Sequence, residues 1–236
     1  MAIPLHHQEH QKPPLFVLTG DSTVAADGGW GNGFLADAKE PANGINLAKQ
    51  GATTASFRSE GLWDQALESV RNNTDCASPI VTIQFGHNDQ KETHIISPEM
   101  FKSNLEKMAN EVSEAGGTPI LITSLTRRTF NNGSVIENLA LHSQLAIEAA
   151  EAVGAQYLDL NKASTIYINA IGQDNADYYN YKEGDRTHLN PKGEIVFGLM
   201  VVDLLPEKHK DLTHYFRPNR ALSLLLKNGE FATGDE

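Results

Sequence analysis

The segment Pro79-Ile-Val-Thr-Ile-Gln-Phe85, running directly into Gly86-His-Asn-Asp89, decides the fold. A short run that is apolar on both faces reads as a strand covered by helices on each side, not as a half-exposed strand of alternating polarity. The polar, glycine-led tetrapeptide stops it and leaves hydrogen-bond donors at its carboxyl end. Outward from this segment the same grammar recurs. Leu15–Leu18 is a strand ending at Thr19-Gly-Asp-Ser22, and Ile45-Asn-Leu-Ala48 is a shorter one closed by Gly51. Pro119–Thr123 and Gln156–Leu160 complete a set of five.

Helices fit between the strands. Residues 57–71 put Leu62, Trp63, Ala66, Leu67 and Val70 on one side. Residues 98–115 open at Ser97-Pro98, a cap followed by proline at the first helical position, and close at Gly116-Gly117. Helices over 137–153, about 161–171, and from Asn190-Pro191 to about Leu205 complete the alternation. Five strand–helix alternations predict a parallel sheet wrapped by helices. The expected organisation is a flexible polar tail over residues 1–14 and one domain over 15–236. That domain includes a C-terminal extension from about 206, in which Leu222, Leu224, Leu225 and Leu226 mark a last helix and Gly229–Glu236 frays.

Composition excludes several function classes. The 236 residues carry a net charge of -11, which repels nucleic-acid backbones and anionic membranes, and neither is expected as a partner. No apolar run approaches the roughly 18 residues of a membrane span. One cysteine, Cys76, rules out intramolecular disulfides and multi-cysteine metal sites. His6-His-Gln-Glu-His10 has the spacing of an inverted zinc-protease motif but sits in a proline-bounded tail without a core, so no metal or cofactor is expected. The amino terminus lacks the basic start and apolar centre of a leader. This favours a cytoplasmic protein, with secretion after removal of a leader as the alternative.

In an open parallel sheet, ligands bind outside the carboxyl ends of the strands. Four donor-rich segments converge there: Gly20-Asp-Ser-Thr23, Gln50-Gly-Ala-Thr-Thr54, Gly86-His-Asn-Asp89 and Ser124-Leu-Thr-Arg-Arg128. Ser22 is either a strand-end helix cap or a nucleophile, and the second reading needs a base. Of nine histidines, His188 stands out: it lies in Gly184-Asp-Arg-Thr-His-Leu-Asn-Pro191, with Asp185 three residues before it and a cap–proline pair fixing the loop exit. In a compact turn Asp185 can hold Nδ1 and free Nε2 to take a serine proton; the alternative is a solvated loop pair. The N–H groups of Ser22 and Gly51 and the amide of Asn88 are candidates for stabilising an oxyanion, against readings of Gly51 as an ordinary turn glycine and Asn88 as an Asx-turn.

Taken in order, Gly20-Asp-Ser22, Gly51, Gly86-His-Asn-Asp89 and Asp185-Arg-Thr-His188 resemble the signature blocks of the SGNH (GDSL-type) hydrolases. The resemblance implies a flavodoxin-like three-layer α/β/α sandwich with five parallel strands. It also implies Ser22 as nucleophile, His188 as base, Asp185 as its orienter, and Ser22, Gly51 and Asn88 as oxyanion hole. Asn46–Gly51, Ser56-Phe57, Phe85–Asp89, Arg127–Phe130, Leu158–Asn161 and Gly184–Gly193 are similar to the rhamnogalacturonan acetylesterase branch, over about Leu15–Leu205. Gln50, Ala52 and Ala55 depart from that pattern, where it has glycine and arginine. The expected function is a metal-independent serine esterase that removes a small acyl group, acetyl foremost, from a carbohydrate such as pectic rhamnogalacturonan, through an acyl-enzyme; the expected partner is a small-molecule or glycan ester. The alternatives are a lipase or thioesterase with the same machinery and a non-catalytic carbohydrate-binding protein on the same fold. Asp21, Trp30, His87, Arg127 and Arg128 are the candidates for substrate contacts. Trp30 is read as core or sugar platform, and the two arginines as uronate ligands or solvated loop residues.

Overall fold

The computed structural model describes residues 12–207 and 209–236. The chain runs β1 (Pro14–Gly20), α1 (Gly31–Asp37), β2 (Asn43–Asn46), α2 (Ser56–Ser59), α3 (Leu62–Arg71) and β3 (Ser78–Gln84). It continues with α4 (Pro98–Glu114), β4 (Thr118–Ile122), the hairpin β5 (Phe130–Asn131) and β6 (Ser134–Val135), and α5 (Ala140–Val153). β7 (Gln156–Leu158), α6 (Leu160–Asp177), α7 (Pro191–Leu204) and α8 (Arg220–Asn228) complete it. The main sheet has the order β2-β1-β3-β4-β7, every pairing parallel. Counting its strands along the chain gives 2-1-3-4-5, the flavodoxin-like order whose switch point lies between the first and third strands.

The apolar runs are explained by two cores. Phe16, Leu18, Ile80, Ile120 and Ile122 pack on the face carrying α1, α6 and α7, while Leu15, Val17, Val81, Ile83 and Leu121 pack on the face carrying α3, α4 and α5. Alternate side chains along each strand feed opposite layers, so a strand with both faces covered has no polar alternation to display. Caps are set as expected: Ser97 Oγ accepts the Met100 N–H and Asn190 Oδ1 accepts the Gly193 N–H at 2.9 Å.

The structure corrects four element readings. The helix over 57–71 is two pieces, because Gly61 takes a left-handed φ of 79° between α2 and α3. β2 starts two residues before Ile45; it is an edge strand, half in solvent, and carries little hydrophobic pattern. The helix after β7 continues beyond residue 171 through a kink at Gly172. Residues 229–236 are anchored and not frayed: Ala232 is fully buried, its carbonyl accepts from Tyr179 Oη at 2.6 Å, and its N–H donates to Tyr167 Oη at 3.1 Å. Of the expected tail, residues 1–11 with the His6–His10 motif lie outside the described residues, and Pro14 already belongs to β1. Among the described residues no helix is long and apolar enough to cross a membrane.

Candidate active site

The site begins where β1 and β3 end side by side, Gly20 opposite Gln84. Past Gly20 the chain turns sharply: the Val24 and Ala25 N–H groups both donate to the Asp21 carbonyl at 3.1 Å. No side chain fits at Gly20, since a Cβ would lie 2.6 Å from the Gln84 carbonyl oxygen and from Val24. Asp21 is fully buried and braces the turn, with Oδ1 accepting from the Thr23 N–H at 2.9 Å and from Thr23 Oγ1 at 2.8 Å. Gln84 ties the turn to β3 by donating to Thr23 Oγ1 at 2.6 Å while accepting from the Trp30 indole at 2.9 Å. Burial opposes the charge on Asp21, but neighbouring His87 and the Thr23 donors outweigh it, and its pKa falls below the ordinary carboxylate value.

This turn presents Ser22 Oγ to His188 Nε2 at 2.9 Å, across 166 residues of chain. On the far side of the ring, Nδ1 lies 2.9 Å from Asp185 Oδ2 and 3.1 Å from Oδ1. Asp185 Oδ1 also accepts the N–H groups of His188 at 3.0 Å and Thr187 at 3.2 Å. Burial works against ionisation of Asp185, but these donors and the imidazole prevail and hold its pKa down. An ionised carboxylate at Nδ1 fixes the tautomer with Nε2 bare, the form able to accept a hydroxyl proton.

Several residues hold the His188 loop. Arg128 is fully buried beneath it and donates through one terminal nitrogen to the His188 carbonyl at 2.6 Å and the Asp185 carbonyl at 3.3 Å, and through Nε to Asn180 at 2.9 Å. Burial lowers the Arg128 pKa to about 10, still cationic at neutral pH. Gly28 flanks the ring: a Cβ there would sit 3.2 Å from that of His188, and its carbonyl accepts the Leu189 N–H at 2.9 Å. Arg186 reaches out of the loop to Asp177 in a two-point ion pair.

The oxyanion candidates lie on the same edge. The N–H groups of Ser22 and Gly51 meet no acceptor among the described residues, and Gly51 adopts a φ of 76° that favours glycine. Asn88 is buried, with one amide hydrogen directed to the Ala52 carbonyl at 2.9 Å and its oxygen accepting from Lys91 at 2.6 Å. Its second amide hydrogen is left over. Asp89 ties the two loops together, accepting the Thr54 N–H at 2.9 Å and Thr54 Oγ1 at 2.7 Å. The Ser22 and Gly51 N–H groups and one Asn88 amide hydrogen are thus donors without a protein acceptor among the described residues.

The substrate-contact readings fare unevenly. Trp30 is fully buried in the core against Phe34, so it is no sugar platform. Arg128 and Asp21 are likewise sealed from substrate and act on the loop and the turn. His87 is 2% exposed, with Nδ1 at 3.5 Å from Asp21 Oδ2, and lies behind the site. Arg127 is half-buried, and its guanidinium has no hydrogen-bonding or ion-pair partner among the described residues. The glycine-rich run Gly28–Gly33 reads in the sequence as a wall of the site, and Gly28 does lie against His188. The sequence reading misses Gln84 and Asn180; Gln84 had only its place as the polar residue in an apolar strand. Cavities of about 350 and 490 Å³ flank α8, lined in part by Asp203, Ser223 and Lys227. None of the residues above lines them; the candidate site lies apart from both, at the sheet edge. Among the described residues no group of three or more His, Cys, Asp or Glu could hold a metal.

Known proteins resemble this chain over most of its length. The model of the GDSL-like lipase/acylhydrolase family matches residues 18–194. The rhamnogalacturonan acetylesterase RhgT of Bacillus subtilis is 29% identical over 217 residues, 84% of this chain and 91% of that protein. Among solved structures, YxiM of Bacillus subtilis superposes with a TM-score of 0.74 at 24% identity over 84% of this chain, which spans only 57% of the YxiM chain. Axe2, an acetylxylan esterase from Geobacillus stearothermophilus, gives 0.59 at 13% identity over 84% of this chain and 94% of its own. At such identities these two structures speak to the fold alone.

Proposed function

The chain belongs to the GDSL-like lipase/acylhydrolase family and is a carboxylic ester hydrolase, and from that premise we propose that it removes acetyl groups from a plant cell-wall glycan, with Ser22, His188 and Asp185 as a catalytic triad. The observation that carries this reading is the unbroken path from Ser22 Oγ to His188 Nε2, 2.9 Å, and on from Nδ1 to Asp185 Oδ2, 2.9 Å. Ser22 attacks the acetyl carbonyl carbon as His188 takes its proton. The carbonyl oxygen, now negative, is met by the N–H groups of Ser22 and Gly51 and the free amide hydrogen of Asn88. When the ester C–O bond breaks, His188 gives that proton to the departing sugar oxygen, and Ser22 is left acetylated. A water deprotonated by His188 then attacks the acetyl group, and acetate leaves. The rhamnogalacturonan acetylesterase among the relatives supports acetyl as the acyl group and a polysaccharide as its carrier.

Acyl-length profiling tests the acetyl assignment. With p-nitrophenyl esters, kcat/KM is expected to be highest for acetate and to fall at least tenfold by octanoate; an octanoate optimum would reassign the chain to lipid or thioester substrates. The oxyanion assignment has its own test. Asn88→Ala is expected to lower kcat by about a hundredfold with KM little changed, since the donor acts on charge that exists only in the transition state. A change confined to KM would remove Asn88 from the oxyanion hole.

A further inference from the structure

His87 is a buried titratable group with no part in the steps above. Its side chain is 2% exposed, and neither ring nitrogen makes a hydrogen bond among the described residues. Asp21 Oδ2, fully buried, is in the same state. Buried polar atoms left unpaired are rare, because each gives up its hydration without return, so two of them facing one another call for a reason. Nδ1 and Oδ2 stand 3.5 Å apart, near enough to attract electrostatically but too far to close a hydrogen bond. His142, the other imidazole close to His87, is packed edge-on against Phe101 and gives it no hydrogen bond.

The reason lies in what the two residues adjoin. Asp21 precedes Ser22 and His87 precedes Asn88, so the contact spans two of the three oxyanion candidates. The loops that carry Gly51 and Asn88 are tied directly to each other, through Asn88 to the Ala52 carbonyl and Asp89 to Thr54. The turn that carries Ser22 is tied to β3 at Gln84, whose carbonyl accepts the Asp21 N–H at 3.3 Å and whose amide donates to Thr23 Oγ1 at 2.6 Å. Past Gln84, no hydrogen bond among the described residues joins residues 20–25 to Gly86–Asp89. The polar contact that does cross is His87 Nδ1 to Asp21 Oδ2. Asp21 transmits it stiffly: its other oxygen is fixed by the Thr23 N–H and hydroxyl, so the carboxylate cannot shift without moving the peptide that bears the Ser22 N–H.

We propose that His87 is a positioning residue for ester cleavage: through Asp21 it sets the spacing between the Ser22 N–H and the Asn88 amide, donors on separate loops at the ends of β1 and β3. This rests on the oxyanion reading above. Two donors stabilise one oxygen jointly only when both lie about 2.7–3.1 Å from it, so a small error in their separation lowers the rate and leaves ground-state binding alone.

The test is a double-mutant cycle on the full-length chain with p-nitrophenyl acetate. Active sites are counted by fluorophosphonate titration run to completion, so unfolded material drops out of kcat. His87→Leu is expected to lower kcat by about ten- to thirtyfold with KM little changed. His87→Asn, whose amide nitrogen takes the place of Nδ1, should stay within about threefold of the unmodified protein. In the Asn88→Ala background His87→Leu should cost less than about threefold, since the spacing it disturbs no longer serves two donors. His87→Phe, flat and without a donor, stands in if His87→Leu does not fold. A full loss in the Asn88→Ala background, an effect confined to KM, no loss at all, or a His87→Asn as impaired as His87→Leu would overturn the positioning role while the oxyanion reading stands. If the unmodified protein takes no label, or Asn88→Ala by itself leaves kcat unchanged, the reading of the site falls and this proposal falls with it.

Discussion

Ser22→Ala is expected to reduce turnover of p-nitrophenyl acetate by about ten-thousandfold or more while moving the melting temperature by no more than about 2 °C. The asymmetry follows from where the hydroxyl sits. Ser22 Oγ makes one hydrogen bond among the described residues, to an imidazole with a side chain 31% exposed, so water can replace it. The turn itself is braced by Asp21, Thr23 and Gln84, none of which is altered. Removing the nucleophile abolishes the acyl-enzyme route and leaves only what the oxyanion donors and binding contribute to direct attack by water. Steady-state kinetics and a thermal melt on the same sample check both halves. Loss of labelling by a fluorophosphonate probe should accompany them. Retained turnover would take the nucleophile's role from Ser22.

The second large effect is expected of Asp185→Asn, with kcat lowered by about a thousandfold or more. Asp185 Oδ1 accepts the N–H groups of residues 187 and 188, and Oδ2 faces His188 Nδ1. An asparagine would keep its carbonyl oxygen toward the two backbone donors, which turns its amide nitrogen toward the imidazole. His188 would then have to accept at Nδ1 and carry its proton on Nε2, the tautomer unable to take a proton from Ser22. The same carboxylate bears on stability. Its folded pKa lies below the usual value of about 4, so its contribution is present above that pH and is lost as pH falls through the folded value. Asp185→Asn should therefore melt below the unmodified protein at pH 7, with the gap narrowing towards pH 3. An unchanged kcat would mean that Asp185 does not orient the base.

Much of this could be read from the sequence, and the failures share a cause. The covered strands β1, β3 and β4 are legible because each residue faces one core or the other. β2 was misplaced by two residues because its half-exposed edge position has almost no pattern to read. The hairpin of β5 and β6 has strands of two residues each, too short to show a period, so Asn132-Gly133 is its one sequence signal. The fraying assigned to residues 229–236 followed from their polarity, but what holds them is the backbone of Ala232 between two tyrosine hydroxyls, and no side-chain pattern encodes that. In the candidate site, the meeting of Ser22, Asp185 and His188 was legible because each half of it is a local signal: a turn after a strand, and a carboxylate three residues from an imidazole. Consecutive arginines are a different matter. Nothing in Arg127-Arg128 says which turns inward, and the one that did became the support of the base's loop.

The distance along the chain between Ser22 and His188, the proposed nucleophile and base, has a meaning for biosynthesis. Asp185 and His188 leave the ribosome as one preassembled piece, but the hydroxyl they serve was made 166 residues earlier. The strands between them must order before the two ends of that span can meet, a closure of high contact order. On the proposed assignment a nascent chain is therefore chemically silent until His188 has been translated and the strands before it have ordered, and esterase activity begins only with that folded span.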